Sequence, residues 1–156
     1  MSAQGEIKTM NQTDIHTPNT PNTLHTQGKI VPHVMVVDDD ATFSESLREM
    51  LQDIGYSVSV AKNGEEAFYQ AQSSTPSLIV LDQFMPSLTG IGFMEKLRAE
   101  AWGRDIPVIV FTSYNLQDLK DMNEQYNVEQ HLLKTEMSLA DITEVIHRRL
   151  GDVQEK

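Results

Sequence analysis

From residue 33 onward the chain alternates between short apolar runs and longer stretches in which apolar residues recur every three or four positions. The runs are HVMVV (33–37), YSVSVA (56–61), LIVL (78–81), IPVIVF (106–111) and EQHLL (129–133). They are rich in β-branched residues and mostly continuous, as strands of a parallel sheet are when helices cover both faces. In the first intervening stretch Phe43, Leu47, Met50, Leu51 and Ile54 form one stripe of a helix. Thr42 and Glu45 predict a capping box at its start, and Gly55 marks its end. Asn63 with Glu66, and Ser138 with Asp141, predict the starts of the second and fifth helices. The last helix turns Leu139, Ile142, Val145, Ile146 and Leu150 inward and ends in His147-Arg148-Arg149, favourable for its dipole. Five strands alternating with five helices predict a doubly wound α/β domain over residues 32–151.

The flanks read differently. Residues 1–31 are rich in Thr, Asn, Gln and Pro, with the near-repeat TPNTPNT at 17–23, and are expected to form a disordered tail. Residues 152–156 are expected to be a short C-terminal tail. His16, His25 and His33 are scattered across the first segment and its end, without the tight spacing of a metal site.

Composition narrows the chemistry. The 156 residues suit one domain, with 39% apolar residues and no cysteine, so disulfides and thiolate metal sites are excluded. No apolar run approaches the ~20 residues of a membrane span, and a cytoplasmic protein without membrane contact is expected. The formal charge of −11 opposes direct nucleic-acid binding and permits a metal cation or a basic protein surface.

The architecture gathers the polar residues. Right-handed crossovers put the C-terminal ends of all parallel strands on one edge, where ligands of such folds bind. Asp38-Asp39-Asp40 follow the first run, Asp82 the third, Thr112-Ser113 the fourth and Lys134 the fifth. Singly, each has a plain explanation: a helix cap for the aspartates, an Asx-turn before Pro86 for Asp82, a strand end for Thr112 and a solvated lysine for Lys134. Jointly they place several carboxylates, a hydroxyl and an ammonium on one rim. Clustered carboxylates need a counter-cation to stay charged together, and oxygen-only ligands suit Mg²⁺.

The motifs VVDDD (36–40), LIVLDQFMP…TG (78–90), VIVFTS (108–113) and LLK (132–134), in this order, resemble the response-regulator receivers of two-component phosphorelays. The resemblance spans about residues 33–150. It implies a flavodoxin-like five-stranded parallel sheet of order 2-1-3-4-5. It further implies that Asp82 accepts a phosphoryl group from a sensor histidine kinase or histidine phosphotransfer protein. Asp38, Asp39, Asp82 and the Phe84 carbonyl would hold Mg²⁺, while Thr112 and Lys134 would hold phosphoryl oxygens. Six residues follow the last predicted helix, so a stand-alone receiver is expected. Its output would pass by contact with a downstream target protein or kinase, or by relaying the phosphoryl group to another histidine. The face that changes would be that of helix four, strand five and helix five, including Leu116, Leu119, Met122, His131 and the last helix. The chain would be a monomer or a phosphorylation-dependent dimer, and a phosphoacceptor rather than an enzyme.

The sequence departs from the receiver pattern at Thr135, where proline follows the lysine, and at His131, where an aromatic switch residue stands. A trans Lys134–Thr135 peptide is expected. Phe84 and Tyr114, two residues beyond Asp82 and Thr112, are expected to flank the path of attacking water and to prolong the phosphoryl state. Two other functions fit parts of the pattern. One is a receiver-like interaction module that is never phosphorylated. The other is a haloacid-dehalogenase-type phosphatase with Asp38 as nucleophile and Asp40 as acid, which leaves Asp82 unexplained.

Overall fold

The structure is a computed structural model and describes residues 24–26, 28–114, 117 and 120–155. The elements run β1 (Leu24–Thr26), β2 (Lys29–Val31), β3 (His33–Val37), α1 (Ala41–Asp53), β4 (Ser57–Ala61), α2 (Gly64–Ser73), β5 (Leu78–Leu81), α3 (Gly90–Ala99), β6 (Val108–Thr112), α4 (Lys120–Tyr126), β7 (Gln130–Leu133), α5 (Leu139–Leu150) and β8 (Gln154–Glu155). Strands β4-β3-β5-β6-β7 form one sheet, parallel throughout. In order of occurrence this is the expected 2-1-3-4-5.

The continuous apolar runs are explained by burial on both faces. Val34 and Val36 pack with Leu47, Leu51, Ile142 and Ile146 of α1 and α5. Met35 and Val37, pointing the other way, pack with Ala67, Ala71, Phe93, Met94 and Leu97 of α2 and α3 and with Tyr126 of α4. Every residue of β3, β5 and β6 is buried, whereas the edge strand β4 is buried only at Ala61.

Three local expectations meet the structure differently. Asn63 and Ser138 cap α2 and α5 as predicted, the latter in a reciprocal capping box with Asp141. The predicted Thr42–Glu45 box does not cap α1. Asp40 does, its side chain accepting from the Phe43 N–H at 3.1 Å, because the strand ends early enough for the third aspartate to take the non-helical position that a cap requires. Gly55, φ 101°, follows α1 as expected, in a conformation that a side chain would strain.

The expected tails are corrected where the structure describes them. β1 and β2 form an antiparallel hairpin, and β8 adds to β2 through Lys29↔Glu155 and Ile30↔Gln154. The physical reason lies at the other end of the chain. Val153 packs with the α1–α5 side of the core, and the Tyr56 hydroxyl donates to the Gly151 carbonyl at 2.6 Å. The segment after α5 is thereby folded back, and its backbone groups find partners in β2. Residues 1–23 lie outside the described residues. His33, counted with the tail histidines, is a buried residue of β3 whose Nε2 lies 2.8 Å from the Ser59 hydroxyl. His16 and the side chain of His25 lie outside the described residues.

Candidate functional site

Backbone ladders carry the polar residues to one edge. The Asp82 N–H donates to the Val37 carbonyl at 2.9 Å, and the Asp38 N–H to the Ala61 carbonyl at 3.0 Å. On the other side the Lys134 N–H donates to the Thr112 carbonyl at 2.8 Å. Each strand therefore ends with its functional residue still held by its neighbour, a rigid mount for side chains that must meet.

They do meet. Carboxylate oxygens of Asp38, Asp39 and Asp82 lie within 4.8 Å of one another. Asp38 and Asp82 are buried and Asp39 is exposed. The Lys134 ammonium bonds Asp38 Oδ2 and lies 3.9 Å from Asp82 Oδ2. Asp38 Oδ1 accepts the Asp40 N–H, and Asp82 Oδ1 accepts the Gln83 N–H, both at 2.9 Å. Thr112 is fully buried at the end of β6, and it favours the charged form of the Asp82 carboxylate.

Burial is the main electrostatic fact. It pushes the Asp82 carboxyl up to about 6, helped by the Asp38 charge and opposed by Lys134, the Gln83 N–H and Thr112. Asp38 is raised too, first by burial and also by Asp39, while Lys134 and the Asp40 N–H pull it down. One ammonium among three carboxylates leaves net negative charge, which an oxygen-seeking dication fits.

The loop after Asp82 is shaped for close approach. Thr89 caps α3 by accepting the Gly92 N–H at 3.2 Å, and Ser87 takes a left-handed conformation, φ 70°. A Cβ on Gly90 would lie 2.7 Å from the Asp82 carbonyl oxygen and 2.9 Å from Gln83 Cα. Both are backbone atoms that cannot swing away. Gly90→Ala is therefore expected to cost about 1–3 kcal/mol in urea unfolding, and an unchanged midpoint would show that the loop yields freely.

At the mouth, the rings of Phe84 and Tyr114 are in contact, with centroids 3.8 Å apart, and both are about half exposed. Sequence position placed each beside the site but did not reveal the pairing. The described residues contain no cis peptide, so Lys134–Thr135 is trans as expected. His131 is half-buried on β7, and burial lowers its pKa. Leu116 and Leu119, expected on the output face, lie outside the described residues, as does the side chain of Met122. Phe43 is a neighbour of the site that its place in the core stripe concealed, since its ring faces Lys134.

A doubly wound sheet with an acidic rim where its strand order reverses defines an α/β domain that binds its ligand at the strand ends. The sequence profile of the response regulator receiver domain matches residues 34–147, most of the chain, and the chain belongs to that family. It is 44% identical over 80 residues to the probable transcriptional regulator ycf27 of Pyropia yezoensis, a match covering 51% of this chain and 32% of that protein. It is 42% identical over 80 residues to the response regulator MprA of Mycolicibacterium vanbaalenii, covering 51% and 34%. The matches thus span about a third of the length of these relatives. Among solved structures, the chemotaxis protein CheY4 of Vibrio cholerae superposes with a TM-score of 0.71 at 26% identity, covering 77% of this chain and 99% of that one. The receiver domain of the sensor histidine kinase PA1611 of Pseudomonas aeruginosa, solved with a magnesium ion coordinated in its active-site cleft, shares the fold with a TM-score of 0.67 at 24% identity. That match covers 76% of this chain and 96% of that one. No helix among the described residues is long and apolar enough to cross a membrane.

Proposed function

We propose that Asp82 accepts a phosphoryl group from a phosphohistidine on a kinase or phosphotransfer protein, and that the acyl phosphate switches protein contacts or is relayed onward. The observation that carries this reading is the placing of one buried carboxylate, Asp82, among two other carboxylates, an ammonium and a hydroxyl. With a carboxyl pKa of about 6, Asp82 is largely ionised at neutral pH, the form that attacks phosphorus. Its Oδ1 is occupied by the Gln83 N–H, so Oδ2, on the Lys134 side, is the oxygen that forms the O–P bond as the P–N bond to the donor imidazole breaks. Lys134 and Thr112 are placed to receive phosphoryl oxygens, and positioned charges of this kind account for most of the catalysis in phosphoryl transfer.

The oxygen-only set of Asp38, Asp39 and Asp82 fits Mg²⁺, and these carboxylates with the Phe84 carbonyl would hold it. When bound, the ion would neutralise charge on the phosphoryl oxygens. The domain so described is a phosphoacceptor that assists its own modification rather than a turnover enzyme. A phosphatase working through Asp38 fits less well, because it leaves the buried Asp82 carboxylate beside Lys134 without a task.

The test is incubation with acetyl phosphate and Mg²⁺ followed by phosphate-affinity electrophoresis, with Asp82→Asn alongside. An acid-stable, alkali-labile shifted band lost in the mutant is expected. No shift in the wild type, together with no beryllofluoride binding, would leave the unphosphorylated interaction module as the reading.

Phe84 and Tyr114, two residues beyond Asp82 and Thr112 and in ring contact with each other, would cover the approach to Asp82 from solvent. The phosphorylated wild type is expected to decay over minutes or longer. The double mutant Phe84→Ala/Tyr114→Ala should decay about tenfold faster, since excluding water protects a reactive intermediate. A wild-type half-time of seconds would refute the shielding role.

A further inference from the structure

We infer that Phe43 is a positioning residue for the Lys134 ammonium, holding it in the acid cluster through the face of its aromatic ring. The inference rests on the phosphoacceptor reading above, which gives Lys134 its task. Nζ of Lys134 lies 4.4 Å from the centroid of the Phe43 ring, within the ~6 Å over which a ring quadrupole attracts a cation. The same ammonium bonds Asp38 and lies 3.9 Å from Asp82. Two carboxylates and a π face therefore all attract it.

The ring is itself fixed. Phe43 lies in the first turn of α1, where its N–H donates to the capping Asp40 carboxylate at 3.1 Å. Its ring packs on Phe111, centroids 5.5 Å apart and tilted by 41°, and Phe111 is buried in β6 immediately before Thr112. Met137 and Leu139 line the same small cleft with these rings and Lys134. A lysine carries a strongly hydrated head on a flexible four-carbon stem and samples many rotamers when free. The backbone on either side of Lys134 is fixed, with its own N–H on the Thr112 carbonyl and those of Glu136 and Met137 on the Leu133 carbonyl, but backbone bonds leave the rotamers of the long side chain open. The aim of the ammonium therefore comes from the side chains that flank it, and Phe43 is the one that attracts it without being a partner in the chemistry.

The core role of Phe43 and this positioning role can be separated. Leucine keeps an apolar side chain in the stripe but has no ring, whereas tyrosine keeps the ring. Wild type, Phe43→Leu, Phe43→Tyr and Asp82→Asn are compared by two measurements. One is the initial rate of phosphorylation by acetyl phosphate. The other is the NMR position of the Lys134 ε-methylene protons in the unphosphorylated protein. The wild-type protons should be displaced upfield by the ring, a displacement lost in Phe43→Leu and kept in Phe43→Tyr. The rate should fall about fivefold in Phe43→Leu and return to within about twofold in Phe43→Tyr. A Phe43→Leu protein that reacts at the wild-type rate overturns the inference. So does a Phe43→Tyr protein as slow as Phe43→Leu, or a wild-type ε-methylene at its free-lysine position. If the wild type is not phosphorylated at all, the phosphoacceptor reading is what fails, and the ε-methylene displacement alone decides where the ammonium is held.

Discussion

Asp82→Asn should make the metal-free protein more stable at pH 7 while removing its phosphoacceptor. The wild-type carboxyl has a pKa of about 6 in the fold, raised first by burial and then by the Asp38 charge. The same group in an unfolded chain ionises near 4. A folded-state pKa above the unfolded one means that the native protein holds the proton more tightly. The penalty is therefore absent below about pH 4, grows as pH rises through the window to about 6, and is full above it. A gap of about two between the folded and unfolded pKa corresponds to about 3 kcal/mol. The site lies at a rim, so we expect about 2 kcal/mol at pH 7, or roughly 4–8 °C in melting temperature. Asparagine still accepts the Gln83 N–H and carries no charge to desolvate. The difference between the proteins should vanish near pH 4, and Mg²⁺ should narrow it at pH 7 by stabilising the wild type through binding. Thermal melts in chelator at pH 4, 5, 6 and 7 test this. A mutant no more stable than wild type at pH 7 would mean that Lys134 and Thr112 already compensate the buried charge.

That Asp82 is kept despite this cost explains why so much of the site is legible in sequence. An aspartate directly after LIVL contradicts local preference, because burial beside another carboxylate opposes folding. Such contradictions mark functional positions. Asp38, Thr112 and Lys134 were legible for a related reason: alternating strands and helices have a fixed hand, so the residues at the C-terminal ends of the strands fall on one edge. Features made by contacts between distant segments were hidden. Lys29 and Ile30 read as polar tail because the strand that adds to them, Gln154–Glu155, is over a hundred residues away and follows Val153, which packs on the α1–α5 side of the core. For α1 the sequence offers two caps, Thr42–Glu45 and Asp40, and the end of β3 decides for Asp40. Phe43 read as core because periodicity reports which face a residue lies on, not which cation it meets.

Lys134→Met should have the larger effect on stability, with the opposite sign. Lys134 is the only cation bonded to the buried Asp38 carboxylate among the described residues, and its Nζ is also 3.9 Å from Asp82. Removing one partner of such a pair leaves an uncompensated buried charge, at a cost of about 3–5 kcal/mol. Lys134 is 19% exposed, which favours the lower end, so about 3 kcal/mol is expected at pH 8 in chelator. Losing the ammonium raises the folded-state pKa of Asp38 and Asp82 further, since Lys134 holds both down. The destabilisation must therefore deepen as pH rises and shrink as pH falls, where protonation removes the unpaired charge; at pH 5 about 1 kcal/mol should remain. Methionine keeps an unbranched apolar side chain against Phe43 and Phe111, which separates lost charge from lost packing. Mg²⁺ should stabilise the mutant more than the wild type, because the metal no longer competes with an ammonium for the same carboxylates. Urea unfolding at pH 5 and pH 8, with and without Mg²⁺, gives four values for each protein. A loss that is the same at both pH values and indifferent to Mg²⁺ would mean that packing, not charge, is what Lys134 contributes. A loss that deepens with pH and is reversed by the metal would place the ammonium and the dication in the same electrostatic role, one holding the acid cluster together before the other arrives.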